Sequence, residues 1–520
     1  MIVKRELTIA IALALVLTVA VAGIKWVRVD EMFGDTAIFL QTTENIAHDG
    51  RAVSQVFANT QAFLAGQYGK MTPAQLAKSP LAPPRQDERA VLPFHAYLVL
   101  YILAPFTKLI PPSVVLMTAD ALSFAGMLLL AYLDLRSRRI AIAASAAFCA
   151  VIVASPAWAQ ASLFGQFFPD RLFMLAGLAF MLRFSRSATP RWEQIALGCS
   201  CLLVGERGAL VAGGFALLYT ALYWREAGRE RTFKLAAGAV LLLYALVLMR
   251  WVLQNPEYAT YLPSSMHAVA AHLRNPALLQ MTFLYILVYL PLLVFAAFEW
   301  RALVIAAVFM LPNIIGTIGG AEKIGWVLHY HSYDFPVLVW AALAGFKRLR
   351  SMNAAVRRRA IPYAAAAAAV LYLAMLDPNS YQQVRFSPTN IGDSFFVRFP
   401  DEAFEYLSPA GLQYHALVDP LTTAVPAGAV VSTVELGMPA LFPGRTIRFF
   451  PLGIDQADYA VVADYGPSAS PPRYRGMPNF DPSRARAVDE EIVARMRHDG
   501  YDFKNAVEVP GLSLAIVRRR

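Results

Sequence analysis

Charged residues are scarce in this chain. Only 16% of its 520 residues are charged, whereas 57% are hydrophobic. A soluble domain carries about 25% charged residues. The shortage excludes an ordinary soluble domain. Together with many long apolar stretches, it indicates a polytopic α-helical membrane protein.

Cysteine is also rare, with three residues in the whole chain. Cys149, Cys199 and Cys201 all lie in apolar stretches. We interpret them as small core residues, because neither a disulfide framework nor a metal site is suggested by that setting.

The chain lacks the short motifs of nucleotide-dependent enzymes and zinc proteases. We find no dinucleotide fingerprint, no phosphate-binding glycine loop and no HExxH. His329 and His331 form a His-x-His pair, but zinc needs further ligands. We therefore expect no cytoplasmic nucleotide-dependent enzyme, and we assign this pair to a lipid headgroup or sugar.

About eleven apolar stretches predict membrane spans. They lie near 7–27, 113–134, 140–157, 171–184, 194–205, 208–224, 235–253, 279–298, 302–319, 333–346 and 360–377. The excess of ten positive charges collects in short loops on one side of this arrangement, which makes that side the cytoplasm and argues against a nucleic-acid partner. The N-terminus is then cytoplasmic, and the first span is expected to remain uncleaved.

Two apolar stretches do not fit a simple span. Residues 93–109 would place Arg136 to Arg139 outside, so we predict an interfacial helix there, with a twelfth span as the alternative. Residues 194–224 hold Gly205-Glu206-Arg207-Gly208 at their centre. Two short helices meeting at this glycine would place the charged pair in a cavity.

These predictions divide the chain into two domains. Residues 1–377 form the transmembrane domain, and residues 28–112 are its first periplasmic loop. From Pro378 the apolar stretches end, and strand-like stretches occur at 429–434, 446–450, 459–465 and 512–517, with a helix at 483–500. We predict a small extracytoplasmic α/β domain over 378–520, and we take its sheet to be parallel.

Asp35 follows the first span and has two compatible interpretations. It can act as a general base that accepts a proton from an acceptor hydroxyl. It can also cap a helix, because Ile38, Phe39 and Thr42 have partial helical spacing.

Other polar residues on the same predicted side are candidates for substrate binding. Asp170-Arg171 lies at the outer mouth of a span, where Asp can hold a divalent cation and Arg can pair with a phosphate, or the two can form a local salt bridge. Glu206-Arg207 lies in apolar sequence, where inserting charged residues into the membrane costs free energy. This cost favours a functional role over a purely structural pair. The full set of binding candidates is His95, Asp170, Arg171, Glu206, Arg207, His329, His331 and Tyr333.

Several motifs resemble a bacterial family of predicted membrane proteins of unknown function, which is similar to GT-C glycosyltransferases. They are Gly34 to Gln41 with Asn45 and Gly50, Phe94-His95, Leu103-Ala104-Pro105, Phe168-Pro169-Asp170, Gly205-Glu206-Arg207, His329 to Tyr333, Val431-Ser432-Thr433, Leu441 to Arg445 and Ala457 to Val462. The resemblance covers nearly the whole chain.

The resemblance implies a GT-C-like membrane enzyme of the bacterial inner membrane. Its donor would be a polyprenyl-phosphate-linked sugar, and its acceptor a cell-envelope glycan, lipid or protein on the periplasmic face. Asp35 takes the place of the catalytic acidic residue, and Asp170 that of the acidic residue in the second outer loop. Mg²⁺ or Mn²⁺ at Asp35 and Asp170 is an open expectation, because Asp35 stands alone and 206–207 is Glu-Arg where the family more often shows Lys-Glu.

Two rival functions remain open. A transporter or lipid flippase would use Glu206-Arg207 in a midplane cavity, and inverted repeats would support it. A non-catalytic scaffold would use the C-terminal domain to recruit partners, but it leaves the charged pair unexplained.

Overall fold

The structure is a computed structural model of the chain. It describes residues 4–27, 34–64, 88–163, 166–186, 189–253, 255, 258, 263–316, 329–352, 423–433, 444–449, 453–463, 493–509 and 514–520. Predicted features elsewhere, among them the span at 360–377 and the first ten residues of the helix at 483–500, lie outside the described residues.

Helices account for most of the described residues. The helices are α1 (Lys4–Val27), α2 (Gly34–Asp49), α3 (Gln55–Leu64), α4 (Val99–Thr107), α5 (Pro112–Ser137), α6 (Ile142–Ala154), α7 (Pro156–Leu163), α8 (Phe173–Phe184), α9 (Arg191–Val204), α10 (Glu206–Leu222), α11 (Trp224–Ala227), α12 (Arg231–Val247), α13 (Met266–Arg274), α14 (Pro276–Ala296), α15 (Trp300–Ile315) and α16 (Asp334–Arg350). Short 3-10 turns at Pro169–Leu172 and His329–Ser332 precede α8 and α16.

Three helical segments in the described part of the chain are long and apolar enough to cross a membrane. They are Lys4–Trp26, Pro112–Ser137 and Trp224–Val252. Several other predicted spans form shorter helices, such as α6 with 13 residues and α8 with 12. A simple span needs about 20 residues. The predicted count of eleven is therefore not confirmed.

The two irregular apolar stretches form short or interrupted helices. Helix α4 has nine residues, so at 1.5 Å per residue it is about 14 Å long, well short of a ~30 Å hydrocarbon layer. The 194–224 stretch is broken at Gly205, which separates α9 from α10 and has φ +154°.

Helix α16 forms the centre of the helical part. Its residues from Asp334 to Leu343 are all buried, and it packs against α8, α14 and α15. A Cβ at Gly345 would lie 1.8 Å from the Phe295 carbonyl oxygen. Only glycine permits this close approach of α16 to α14.

The C-terminal strands form one five-stranded sheet. The strands are β3 (Val430–Thr433), β4 (Thr446–Phe449), β5 (Tyr459–Ala463), β6 (Tyr501–Val509) and β7 (Leu514–Arg519), in the order β4-β3-β5-β7-β6; a short pair, β1 (Val53–Ser54) and β2 (Arg89–Ala90), lies in the first loop.

The C-terminal sheet is mixed, and the expectation of a parallel sheet was wrong for two of its four pairings. Strand β3 pairs in parallel with β4 and β5, with Val431 opposite Ile447, whereas β7 is antiparallel to both β5 and β6. Four strands match predicted stretches. Strand β6 was missed, because it follows directly on helical residues 493–498 and Gly500 (φ +93°).

The apolar residues that the structure describes form two cores. One lies among the helices from α5 to α16. The other joins the first loop to the C-terminal sheet, and contains Phe39 of α2, Phe57 of α3, and Val431 and Ile447 of the sheet. The two regions that lie at opposite ends of the sequence thus share one hydrophobic core.

Candidate functional site

The carboxylate of Glu206 lies at the start of α10 and is fully buried. Its Oε1 accepts from His95 Nδ1 at 2.9 Å and from the Tyr258 hydroxyl, and its Oε2 accepts from the Ala96 backbone N–H at 2.9 Å. Both oxygens are therefore bonded, which removes the cost of burying an unpaired carboxylate.

The carboxylate of Asp170 is held in a similar way by two tyrosines. The Tyr97 hydroxyl donates to Oδ2 at 2.7 Å, and the Tyr333 hydroxyl donates to Oδ1. Asp170 is only 1% exposed. Its position in the Pro169–Leu172 turn, next to the start of α16, brings the three residues together.

Residues 95–97 connect these two carboxylates. His95 and Ala96 bind Glu206, Tyr97 binds Asp170, and the centroids of the His95 and Tyr97 rings lie 5.0 Å apart.

Asn255 Nδ2 lies 3.2 Å from His95 Nε2, so a neutral imidazole with its proton on Nδ1 satisfies both nitrogens.

The tyrosine hydroxyls at this site stay protonated. Burial, and then the negative charge of Asp170, raise the pKa of Tyr97. Burial, and then the charge of Glu206, raise the pKa of Tyr258. Both hydroxyls therefore serve as hydrogen-bond donors to carboxylates.

Arg207 differs from Glu206 in its accessibility. Its side chain is half-buried, and its guanidinium lies 5.6 Å from the centroid of the Tyr258 ring. The break at Gly205 sets the direction of both residues. A Cβ at Gly205 would lie 3.3 Å from the Tyr97 ring, in a backbone conformation that side chains rarely adopt.

Asp35 lies in the first turn of α2 and is exposed. The next residue, Thr36, accepts from the Phe167 N–H at 3.0 Å and donates to the Phe167 carbonyl at 3.3 Å. The residue that follows Asp35 is thus bonded to the segment that leads directly into Asp170.

Arg171 belongs to a second buried cluster of charged residues. Its Nη1 lies 3.1 Å from Asp120 Oδ2, and Lys25 Nζ lies 2.8 Å from the same oxygen, with all three side chains fully buried. Arg171 Nη1 and Lys25 Nζ also donate to the Gln166 carbonyl at 2.7 and 3.1 Å. The structure thus pairs Arg171 with Asp120, and Asp170 with two tyrosine hydroxyls.

His331 belongs to another buried cluster, between α14 and α16. Its Nδ1 lies 3.2 Å from the Tyr289 hydroxyl, while Tyr285 donates to Asp334. His329 starts the same 3-10 turn. Tyr333, the residue that follows this turn, donates to Asp170 Oδ1.

The expected divalent-cation site at Asp35 and Asp170 stays a prediction. Among the described residues, no group of three or more His, Cys, Asp or Glu side chains could hold a metal ion. A cation at Asp170 would also compete with two tyrosine donors for its oxygens.

Five of the predicted residues therefore come together in one cluster, namely His95, Asp170, Glu206, Arg207 and Tyr333. Sequence analysis missed Tyr97, Asn255 and Tyr258, and also Lys25 and Asp120. Asp120 gave a usable signal, because it is a charge within an apolar span, as Glu206 is. Asn255 and Tyr258 gave none.

The comparison with protein families matches residues 35–481 to a family described as "Predicted membrane protein (DUF2079)". The chain belongs to this family. The matched region begins at Asp35 and includes the whole cluster and the strands β3 to β5. No curated protein matches the chain.

Proposed function

We propose that the protein is a membrane glycosyltransferase that transfers a sugar from a polyprenyl-phosphate donor to an acceptor hydroxyl on the periplasmic face. In this proposal the helical part has the GT-C-like arrangement of about eleven spans, in the inner membrane with a cytoplasmic N-terminus. The first loop and the C-terminal sheet then lie in the periplasm.

A difference in exposure between the acidic residues carries this proposal. Asp170 and Glu206 are buried with both oxygens bonded, whereas Asp35 is exposed at the end of a helix attached to the same cluster. A general base must reach the proton that it accepts. Asp35 therefore supplies the base, and the two buried carboxylates hold the surrounding segments in place.

The proposed step is an inverting displacement. The acceptor hydroxyl loses its proton to Asp35 and forms a bond to the anomeric carbon of the donor, while the bond from that carbon to the phosphate oxygen breaks. The polyprenyl phosphate leaves with the electron pair of that bond. Arg207 stabilises its charge, because a fixed cation beside a developing negative charge lowers the barrier.

Arg207 is preferred for this role to Arg171 and His331, which the sequence also offered as phosphate-binding candidates. Arg171 is fully buried against Asp120, and His331 lies beside Tyr289 in the neighbouring cluster. The half-buried Arg207 follows Glu206, whose three hydrogen bonds fix the start of α10.

The experiment is the identification of lipids that purify with the protein, followed by a transfer assay. The protein is extracted in mild detergent, and bound lipids are identified by mass spectrometry. The lipid-linked sugar that is found is then offered in liposomes with acceptor extracts. We expect a polyprenyl phosphate or its glycosylated form and transfer of its sugar; the absence of both would contradict the proposal.

A further inference from the structure

The edge strand of the C-terminal sheet is bound by side chains of α3. Gln55 Oε1 accepts from the Ile447 N–H at 2.7 Å, and its Nε2 lies 3.4 Å from the Arg445 carbonyl. Asn59 Nδ2 donates to the Ile447 carbonyl at 2.9 Å. Among the described residues, strand β4 is the last strand on this side of the sheet. The two carboxamides thus take the place of a neighbouring strand.

The same residue, Gln55, is bonded to α2 through its backbone. Gln41 Oε1 accepts from the N–H groups of Gln55 at 2.7 Å and Val56 at 3.1 Å, and from the Ser54 hydroxyl at 2.9 Å. These N–H groups begin α3 and have no partner within the helix. The Gln41 carboxamide of α2 therefore caps the start of α3, and α3 in turn binds the edge of the sheet through Gln55 and Asn59.

Helix α2 continues the connection to the buried carboxylates. Thr36 is bonded to Phe167, and the Phe39 ring lies 5.4 Å from that of Tyr97, which binds Asp170. A continuous set of contacts thus runs from β4 through α3 and α2 to the segments around Asp170, with Asp35 in the first turn of α2.

We propose that Gln55 and Asn59 are positioning residues, which attach the C-terminal sheet to α3 and thereby fix the orientation of α2 and of Asp35. The catalytic part of this inference rests on the proposed function. The mechanical part, that the sheet holds α2 in place, does not.

Both positions require an amide and not merely a polar group. Asn59 Nδ2 donates to two carbonyls, those of Ile447 and Gln55, and Asn59 is fully buried. Asn59→Asp keeps the shape of the side chain, but it places a carboxylate oxygen, which only accepts hydrogen bonds, opposite these two carbonyl oxygens. Gln55→Glu keeps the acceptor for Ile447 and loses only the donor to Arg445, so its effect is smaller.

The experiment measures hydrogen exchange and transfer on the full-length protein in liposomes. Gln456→Glu is the matched control, because it makes the same chemical change at an exposed position near the sheet. For Asn59→Asp we expect amide exchange in α2 to rise about tenfold, the factor that corresponds to ~1.4 kcal/mol. We expect unchanged exchange in α5, and a fall in kcat for transfer with little change in donor KM.

The outcomes separate this inference from the proposed function. Faster amide exchange in α2 with Asn59→Asp, and a smaller increase with Gln55→Glu, supports the attachment of the sheet to α2. This conclusion holds even if the wild-type protein transfers no sugar. The lack of sugar transfer would count against the proposed function alone. Unchanged exchange in α2 while the sheet itself exchanges faster would overturn the inference. If Asn59→Asp does not fold, Gln55→Glu decides by the same criterion.

Discussion

At the scale of single residues, the site shows why a buried carboxylate need not be a reacting group. Glu206 and Asp170 are the most conspicuous charges in their surroundings, yet hydroxyls, an imidazole and a backbone N–H occupy their four oxygens. The exposed Asp35 has the weaker sequence signal, because an acidic residue at a helix start is common.

The bonds to Glu206 predict an asymmetry between two substitutions. Glu206→Gln turns one acceptor oxygen into a donor that faces His95 or Ala96, so we expect a loss of about 1–3 kcal/mol in the free energy of unfolding. Tyr258→Phe removes one donor and leaves the carboxylate bonded, with an expected loss of ~0.5–1.5 kcal/mol. Unfolding in detergent micelles measures both, and equal losses would contradict this account of Glu206.

At the Lys25–Asp120–Arg171 cluster, we expect a substitution to lower the free energy of unfolding by more than the substitutions at Glu206 and Tyr258. Asp120→Asn removes the carboxylate that two fully buried cations share, and breaking a buried ion pair in this way costs about 3–5 kcal/mol. Ser123→Ala is the control on the same helix, because it removes only hydrogen bonds of Arg171 and Leu175, at about 1 kcal/mol each. A loss for Asp120→Asn no larger than that of the control would show that the charges are balanced in another way.

At the scale of elements, the break between α9 and α10 directs the charged pair. The glycine was readable from the sequence as an interruption in an apolar stretch. Its orientation was not, since φ +154° and the contact with Tyr97 depend on a segment more than 100 residues earlier in the chain.

Gly205→Ala tests the importance of this break. A Cβ there would press on the Tyr97 ring in a strained conformation, so we expect a loss of about 1–3 kcal/mol in stability together with reduced donor binding. Gly23→Ala is the control, because a Cβ at this helical position meets nothing within 4 Å and alanine favours a helix. Equal behaviour of the two variants in unfolding and donor-binding assays would contradict the prediction.

At the scale of the whole molecule, ion pairs hold α1 to α5 near both ends. Arg136 Nη2 lies 2.9 Å from Glu6 Oε2, and Lys25 binds Asp120. Glu6 and Lys25 are 19 positions apart in the sequence, which corresponds to about 28 Å of helix, close to the hydrocarbon thickness. The first helix therefore packs along α5.

The sequence was informative where one segment determines the structure and poor where distant segments meet. Apolar stretches located most helices, and four strands were placed by their β-branched residues. The contact of His95 with Glu206 crosses 111 positions, and that of Gln55 with Ile447 crosses 392. Neither hydrophobic periodicity nor residue spacing predicts such long-range contacts. The hydrophobic core shared by the first loop and the C-terminal sheet was therefore not predicted.

The proposed orientation predicts a labelling pattern in intact cells. Single cysteines are introduced at the exposed positions His48, His498 and Arg229 after Cys149, Cys199 and Cys201 are replaced by alanine. A membrane-impermeant thiol reagent that enters the periplasm should label positions 48 and 498 but label position 229 only after lysis. Labelling of position 229 in intact cells would reverse the orientation.

The central claim is that Asp35 is the catalytic base, and a matched pair of variants tests it most directly. Asp49 is an exposed carboxylate at the other end of the same helix, paired with Arg51 at 3.2 Å. Sugar transfer and donor binding are measured in proteoliposomes for Asp35→Asn and Asp49→Asn. The account predicts that Asp35→Asn lowers transfer by at least about 100-fold with donor binding retained, and that Asp49→Asn resembles the wild type. Full transfer by Asp35→Asn would contradict it.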